Sequence, residues 1–594
     1  MYWRDLCGCD FIPVHTLRVH LARCRAHKWR LRVHYASMNA ECSDRLLANP
    51  SCFCGLHHVA LLALVSLAAC TSLPPAATQP KSMTQAVSPA LETPLGKAVG
   101  PLAAGHGSDS GFRMISAGID GLTARIEAID LAQRSIDIQT YIFRADESGN
   151  LVVEALLRAA ERGVRIRILV DDGETVAGDE KILALSGQPG FEVRIYNPLR
   201  YRGHNRFRRG VEFLFNKARV DYRMHNKLMV ADNVVAIIGG RNIGNQYFQI
   251  DPASQFGDDD LVVTGPIVPR LSGVFDEFWN SPIAIPAQAV DQADTTPQAL
   301  SEYKKQLAQY LQRLDAKRVA GAQSTPNSSN SPNSSNTPNT QNTSSHPFLD
   351  IGSGRVTWRW APMKLVYDSP DKKDVAKGEV PGRLIYKAIA DQANAVSSEL
   401  IMVTPYFVPT QDEMAGIEHE RERDARVRIL TNSLETAPSL GAQSGYGHFR
   451  VKLLKAGVEL HEVRALLGSA RGSGQGRAIS RHGNYGLHAK LYVFDRKISF
   501  VGSLNFDQRS NHLNTEIGLL VASPELSGEI AARFEALTQL DNSYAVTLGD
   551  DGKHLVWTTQ ENGTLVHRRK EPARNAWQRA EVRLLSLLPL DPEL

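Results

Sequence analysis

The chain is 594 residues long and nearly neutral, with 67 Lys and Arg against 63 Asp and Glu. Eight of the basic and four of the acidic residues precede Cys70, which leaves 59 of each in the rest of the chain. This balance disfavours a nucleic-acid enzyme, because such an enzyme usually carries a positive excess over its footprint. All seven cysteines lie at or before position 70, so the remainder has neither disulfides nor thiol chemistry.

Residues 1–70 predict an export region. The apolar run 59–67 ends in Leu67-Ala68-Ala69-Cys70, and it is shorter than the roughly 20 residues that span a bilayer. The pattern resembles a bacterial lipoprotein signal peptide, in which the final cysteine of the motif receives the lipid. We therefore expect lipidation at Cys70, attachment to a membrane of the bacterial cell envelope, and a flexible linker over residues 71–108.

The early cysteines and histidines leave an alternative open. Zinc binding would use Cys7, Cys9, His15, His20 and Cys24. No paired C-x2-C occurs among them, which disfavours a structural zinc site.

Two long stretches of the chain alternate helical and strand patterns. In residues 109–295, helical stretches such as 121–133 alternate with β-branched runs such as 164–170, which indicates helices packed on a sheet. Residues 351–594 form the second stretch and include a C-terminal tail. Between them, residues 296–350 hold a charged helical stretch and a segment, 324–345, that contains only Ser, Thr, Asn, Pro and Gln. Because such a segment cannot bury a core, we expect a disordered linker there.

The motif His-x-Lys-x4-Asp-x6-Gly-(Gly/Ser)-x-Asn occurs once in each stretch. Its members are His225, Lys227, Asp232, Gly239, Gly240 and Asn242, and then His488, Lys490, Asp495, Gly502, Ser503 and Asn505. The two histidines are 263 residues apart, and Tyr141 and Tyr406 are separated by 265. Near-constant offsets predict two copies of one fold.

Each motif is typical of a strand, a turn and a returning strand. Residues i and i+2 of a strand share a face, so the His and the Lys project together, and the return brings the Asn back toward them. An imidazole can act as nucleophile or as acid and base, while the ammonium and the amide can hold phosphate oxygens. The set predicts phosphoryl transfer without a metal or a cofactor. The motif aspartates, Asp232 and Asp495, are counted with the histidines and lysines among the catalytic candidates as members of the motif, although their position before a turn also predicts that they brace the hairpins.

The paired motifs are similar to those of the phospholipase D superfamily, and the blocks 239–244, 406–410, 429–434 and 502–507 look like those of its bacterial cardiolipin synthases. The resemblance implies two tandem phospholipase D-like α/β domains. Each would be a mixed sheet flanked by helices, in a pseudo-twofold arrangement with the active site between them.

The resemblance also implies roles for the motif residues. His225 would attack phosphorus to give a phosphohistidine, and His488 would serve as acid and then base. Lys227, Lys490, Asn242 and Asn505, with Gly240 and Ser503, would hold the phosphate. Asp260 and Glu516, which lie 35 and 28 residues beyond their histidines, would orient the imidazoles.

The expected reaction is transfer of a phosphatidyl group to phosphatidylglycerol, which forms cardiolipin, with phosphatidylglycerol or phosphatidylethanolamine as the donor. Arginines crowd into residues 200–209 and into the glycine-rich stretch 468–486, and such loops suit an anionic headgroup at a membrane surface. The first alternative is a phospholipase D that uses water as the acceptor. A nuclease of the same superfamily is disfavoured by the neutral charge, and a non-enzymatic envelope scaffold by the two complete motifs.

Overall fold

The computed structural model of the protein describes residues 80–173, 185–199, 216–217, 219–251, 253–290, 296–324, 348, 357–467 and 484–587. Elements of the first half are, in chain order, α1 (Pro94–Ala103), β1 (Ser110–Ile115), α2 (Gly118–Leu131), β2 (Ser135–Thr140), α3 (Glu147–Glu161), β3 (Arg165–Asp171), β4 (Phe191–Tyr196), β5 (Leu228–Ala231), β6 (Val235–Gly239), β7 (Ser254–Gly257), β8 (Asp260–Thr264), α4 (Ile267–Asn280), β9 (Ala284–Pro286), α5 (Ala287–Val290) and α6 (Pro297–Ser324).

The second half follows with β10 (Arg359–Ala361), β11 (Met363–Tyr367), α7 (Lys372–Lys377), α8 (Ile385–Asn394), β12 (Glu399–Val403), α9 (Gln411–Glu422), β13 (Arg426–Asn432), α10 (Leu440–Gly447), α11 (Arg450–Lys455), β14 (Glu459–Val463), β15 (Asn484–Leu487), β16 (Leu491–Phe494), β17 (Ile498–Gly502), α12 (Gln508–His512), β18 (Ile517–Val521), α13 (Pro524–Leu537), β19 (Ser543–Leu548), β20 (Leu555–Glu561), β21 (Thr564–Arg568) and α14 (Ala576–Leu585). Among the described residues, no helix is both long and apolar enough to cross a membrane.

Each half is built on one mixed sheet. The strand order is β10-β1-β8-β6-β5-β2-β3-β4-β9 in the first sheet and β11-β18-β17-β16-β12-β13-β14-β19-β20-β21 in the second. Strands β2, β3 and β4 pair in parallel, as do β12, β13 and β14, while the motif hairpins β5–β6 and β16–β17 are antiparallel. The same order recurs from β1 to β4 and from β11 to β14, which confirms two copies of a mixed α/β fold.

The two sheets share a hydrophobic core. One cluster contains Leu228 and Val230 of β5 together with Leu491 and Val493 of β16, and Phe278 of α4 joins it. Two further clusters lie on the other faces of the sheets, against the helices of each half. Because the central strands are covered on both faces, they appear in the sequence as continuous apolar runs and not as alternating ones.

Contacts between the halves are reciprocal. Met224, which precedes His225, bridges to Thr515 in the second half. Leu487, which precedes His488, pairs with Gly257 at the end of β7. Each histidine is therefore placed by a backbone contact with the opposite half.

The segment before β1 corrects one prediction. Residues 71–108 were expected to form a flexible linker, but the described part, from residue 80, packs on the first half. Leu95 and Val99 of α1 are buried in its core, the backbone N–H of Ala86 donates to Asp276 at 2.7 Å, and that of Ala90 donates to the Asp232 carbonyl at 3.1 Å. Buried apolar side chains and hydrogen bonds to the first half together dock a sequence whose composition is typical of a linker.

The boundary between the halves also differs from the predicted one at residue 351. Strand β10 pairs with β1 in the first sheet, with Ser110 opposite Ala361, so the second sheet begins only with β11. The predicted helix of the connecting region is present as α6, and its residues Leu300, Tyr303 and Leu307 pack into the first core. Residues 325–345 of the predicted disordered linker lie outside the described residues.

Candidate active site

The motif hairpins end in matched two-residue turns. Asp232 and Asn233 both have a φ of 54°, and Asp495 and Arg496 have φ values of 51° and 52°, which is the left-handed pair that a tight hairpin requires. Asn and Asp tolerate this conformation better than most residues, which explains why three of the four turn positions carry them.

The two motif aspartates brace their hairpins. Asp232 Oδ1 accepts hydrogen bonds from the backbone of Gln133, Arg134 and Ser135 at 3.1, 2.7 and 3.1 Å. Asp495 does the same for Ser397, Ser398 and Glu399 at 3.1, 2.7 and 3.1 Å. These carboxylates tie each turn to the start of the neighbouring strand, at the end of the hairpin away from the histidine. Their place among the catalytic candidates is therefore corrected, and a structural role remains.

His225 and His488 each contact a carboxylate from the opposite half. His225 Nδ1 lies 2.9 Å from both carboxylate oxygens of Glu516, and His488 Nδ1 lies 2.6 Å from Asp258 Oδ2. A carboxylate at Nδ1 favours the tautomer with hydrogen on Nδ1, so the lone pair of Nε2 is left for chemistry. Each half-site is consequently incomplete without the other half of the chain.

The expected orienting role of Asp260 is wrong. Asp260 is fully buried and lies 2.9 Å from Arg125 and 3.2 Å from Arg241, which neutralise it within the first half. Asp258 takes the role instead. Glu516 does orient an imidazole, but that of His225 and not that of His488, which precedes it in its own half. Aligning the apolar runs 261–263 and 519–521 pairs Asp258 with Glu516, a signal in the sequence that spacing from the histidines missed.

Each lysine contacts the histidine of its own motif. Lys227 Nζ donates to the His225 carbonyl at 2.6 Å. Lys490 Nζ lies 3.0 Å from His488 Nδ1 and 3.3 Å from its Nε2. Both ammonium groups are buried, and burial lowers the pKa of Lys227 to about 7 and that of Lys490 to about 8. An anionic ligand between them would offset this desolvation.

Burial also sets the charge of the histidines. Burial, together with the neighbouring lysines, lowers the pKa of His225 to about 4 and that of His488 to about 3. The pKa values of Glu516 and Asp258 are lowered by the facing imidazoles although burial opposes this. The resting site thus holds two neutral imidazoles and two ionised carboxylates.

The asparagines differ between the halves. Asn242 Oδ1 accepts from the backbone N–H of Ile142 at 3.2 Å and lies 3.5 Å from the Thr140 hydroxyl. Asn505 Oδ1 is buried and has no hydrogen-bond partner among the described residues. An unsatisfied buried polar atom costs about 1 to 3 kcal/mol, so the Asn505 amide is a candidate contact for a substrate.

Gly240 and Ser503 support the orienting acids. A Cβ on Gly240 would stand 2.1 Å from Asp258 Oδ1, so the absence of a side chain makes room for that carboxylate. Ser503 Oγ donates to Glu516 and accepts from the Ile517 backbone at 3.0 Å. Both residues were expected to bind substrate, but their contacts place them behind the imidazoles.

The aromatic surroundings of the two histidines are unequal, a feature that the sequence did not reveal. Tyr141 contacts His225 edge-on at 5.2 Å, whereas Tyr247 and Phe256 contact His488 at 5.1 and 5.2 Å. The Thr140 hydroxyl donates to the Ile142 carbonyl, and the Thr404 hydroxyl donates in the same way to the Tyr406 carbonyl. Tyr141 therefore corresponds to Pro405 in the second half, whereas the sequence offsets had paired it with Tyr406.

Some predicted features lie outside the described residues. These are the proposed lipidation site Cys70, the early zinc alternative, the arginines of residues 200–209, and those at 471, 477 and 481 in the glycine-rich stretch.

Comparison with known proteins gives the class. The family described as "Cardiolipin synthase, PLD-like domain" matches twice, over residues 125–279 and 389–538. Cardiolipin synthase C of Escherichia coli (strain K12) is 32% identical over 84% of this chain and 99% of that protein. An uncharacterized protein of Helicobacter pylori (strain J99) is 27% identical over 77% of this chain and 84% of that protein.

Among solved structures, phosphatidylserine synthase of Haemophilus influenzae Rd KW20 matches with a TM-score of 0.46 at 14% identity, over 73% of this chain and 87% of that one. The two family matches and the 32% identical relative show that the chain belongs to the phospholipase D superfamily, as a cardiolipin synthase-like phosphatidyltransferase.

Proposed function

We propose that the enzyme transfers a phosphatidyl group to phosphatidylglycerol and so forms cardiolipin, with phosphatidylglycerol or phosphatidylethanolamine as the donor. The observation that carries the proposal is the pair of contacts in which each imidazole meets a carboxylate of the opposite half. Glu516 and Asp258 leave two Nε2 lone pairs available in one buried cluster, beside two ammonium groups that can neutralise a phosphodiester.

In the first step His225 Nε2 attacks the donor phosphorus. An N–P bond forms as the P–O bond to the leaving alcohol breaks, and His488 gives its proton to that oxygen. Lys227, Lys490 and the Nδ2 hydrogens of the Asn505 amide donate to the non-bridging oxygens. Since burial lowers the pKa of His488, its protonation is coupled to binding of the anionic substrate, whose negative charge favours the imidazolium.

In the second step His488 accepts the proton of a glycerol hydroxyl of phosphatidylglycerol. That oxygen attacks phosphorus, the N–P bond breaks, and cardiolipin leaves with His225 neutral again. A cavity of about 430 Å³ is lined by His488, Tyr247, Phe256 and Tyr406. This opening supports His488 as the residue that meets the alcohols and His225 as the nucleophile.

The test is incubation of the purified protein with phosphatidylglycerol and phosphatidylethanolamine that differ in acyl composition, followed by mass spectrometry of the lipids. We expect cardiolipin, whose acyl chains identify the donor and the acceptor. Phosphatidic acid as the main product would instead assign a phospholipase D. The His225→Ala variant is the control and should form neither product.

We also propose attachment to a membrane of the bacterial cell envelope through a lipid on Cys70. The support is the apolar run 59–67 with its terminal Leu67-Ala68-Ala69-Cys70. A membrane-attached enzyme would meet its phospholipid substrates at the surface where they reside.

A further inference from the structure

The second sheet carries an extension that the first sheet lacks within the described residues. Beyond β14 the strand order continues through β19, β20 and β21, whereas the first sheet ends with β9 beside β4. Helix α14 then packs back on the second half, where Gln578 Nε2 donates to the Leu434 carbonyl at 2.8 Å. The C-terminal extension therefore adds structure beside the His488 half-site that the described residues of the first half do not provide for His225.

A cationic cleft of about 790 Å³ is lined by this extension and by the loops that follow β13 and β14. Its basic lining residues are Arg464, Arg568, Arg569, Lys570, Arg574 and Arg579, and its acidic ones are Glu435 and Glu561. Glu561 lies 2.7 Å from Arg568, and Glu435 Oε1 accepts from the Ala465 backbone and the Tyr544 hydroxyl. Six cations against two anions leave the cleft with four positive charges in excess.

The cleft adjoins the cavity at His488. Arg574 and Glu435 line both spaces. The Arg574 guanidinium is fixed between them, since it donates to the carbonyls of Glu435 at 2.8 Å and Ala437 at 3.4 Å. Arg144, from the first half, adds a second cation to the His488 cavity.

A phosphatidyl acceptor needs such a site. On the proposed function, the donor phosphate occupies Lys227 and Lys490, but phosphatidylglycerol brings a phosphate of its own, separated from the attacking hydroxyl by the glycerol carbons. Water or a neutral alcohol as acceptor would need no second anion site. We infer that the cationic cleft binds the phosphate of the acceptor headgroup and directs its free hydroxyl toward His488, an inference that rests on the proposed function.

Binding of the deacylated headgroup, glycerophosphoglycerol, tests this without a membrane. Isothermal titration calorimetry uses the full chain with His225→Ala, so that nothing is turned over. The cleft variant adds Arg569→Glu and Lys570→Glu at exposed positions, with Arg569→Gln and Lys570→Gln as a milder pair. The control adds Lys97→Glu and Lys387→Glu, also exposed and of equal charge change but outside the lining of the cleft.

We expect the charge-reversed cleft variant to bind the headgroup at least tenfold more weakly than the parent. The glutamine pair should show a smaller loss of affinity, and the control should bind within twofold of the parent. Equal binding by cleft variant and parent, or no binding to the parent, overturns the inference. Inorganic phosphate that binds as tightly as the headgroup would assign the cleft to free phosphate and also overturn it. Failure of the proposed function is a separate result, because it appears as missing cardiolipin in the lipid assay.

Discussion

His225 and His488 owe their chemistry to residues far away in the sequence. Glu516 lies 291 residues from His225, and Asp258 lies 230 residues from His488. The histidines, lysines and asparagines could be predicted because the repeated motif names them. Spacing from the histidines picked the wrong acid in the first half, because residues 258–260 are three consecutive aspartates. In the structure, Asp258 contacts His488, Asp259 contacts Arg533, and Asp260 contacts Arg125 and Arg241.

Asp258→Asn and Asp260→Asn should therefore have different effects. The first removes the acid that orients His488, so we expect kcat to fall by about 10² to 10⁴-fold with a native melting temperature. The second leaves two buried guanidinium groups without their partner, so we expect a loss of roughly 3 to 5 kcal/mol in the free energy of unfolding. Steady-state kinetics and urea unfolding measure the two effects, and a reversal of the pattern would return the orienting role to Asp260.

The buried imidazoles also predict a pH dependence of stability. Their pKa values, about 4 for His225 and about 3 for His488, lie below the value of about 6.5 in an unfolded chain. Between these limits the unfolded chain binds more protons, so stability is lost as the pH falls below about 6.5, by at most about 1.4 kcal/mol per pH unit for each histidine.

Urea unfolding at pH 7, 6 and 5 measures this dependence. The double variant His225→Asn and His488→Asn should show a shallower loss than the wild type over the same range. A loss that is equally steep in both proteins would mean that other groups cause it.

At the scale of elements, the motif hairpins show how far sequence reasoning reaches. The strand–turn–strand order and the bracing role of Asp232 and Asp495 follow from local chemistry, because the turn, its left-handed residues and its apolar strands are contiguous in the chain. The docking of α1 and the pairing of β10 with the first sheet were missed. Both depend on contacts with distant strands that no local pattern encodes.

A substitution at Gly240 should affect His488 through Asp258. Gly240→Ala places a methyl group where Asp258 Oδ1 now lies, at 2.1 Å, so the carboxylate must move from His488. We expect turnover to fall by at least tenfold while the protein stays folded. Gly528→Ala, in α13 with nothing within 4 Å of the new Cβ, is the control, and it should retain activity with equal or higher stability. Equal activity in both variants would contradict a fixed Asp258.

The whole molecule joins two copies of one fold into a single site. The shared core of β5 and β16 and the reciprocal bridges at Met224 and Leu487 hold the halves so that each completes the other. The duplication could be predicted from the motif offsets. The C-terminal extension could not be predicted in this way, because its strands have no counterpart in the described part of the first half.

Membrane attachment is a prediction at this same scale. If Cys70 is lipidated, the mature protein should lack residues 1–69, appear in the membrane fraction, and incorporate a fatty-acid analogue during growth. Cys70→Ser should abolish both the labelling and the processing. Label retained in Cys70→Ser, or an intact N-terminus on membrane-bound protein, would refute lipidation at this residue.

The division of labour between the histidines is tested most directly with a phosphatidyl ester of p-nitrophenol, whose leaving group departs without an acid. His488→Ala should release one equivalent of p-nitrophenol per enzyme in a rapid burst and then stop, with the phosphatidyl group on His225 by peptide mass spectrometry after a denaturing quench. His225→Ala should show no burst. A burst in His225→Ala, or steady turnover by His488→Ala without a covalent adduct, would contradict the two-histidine double displacement.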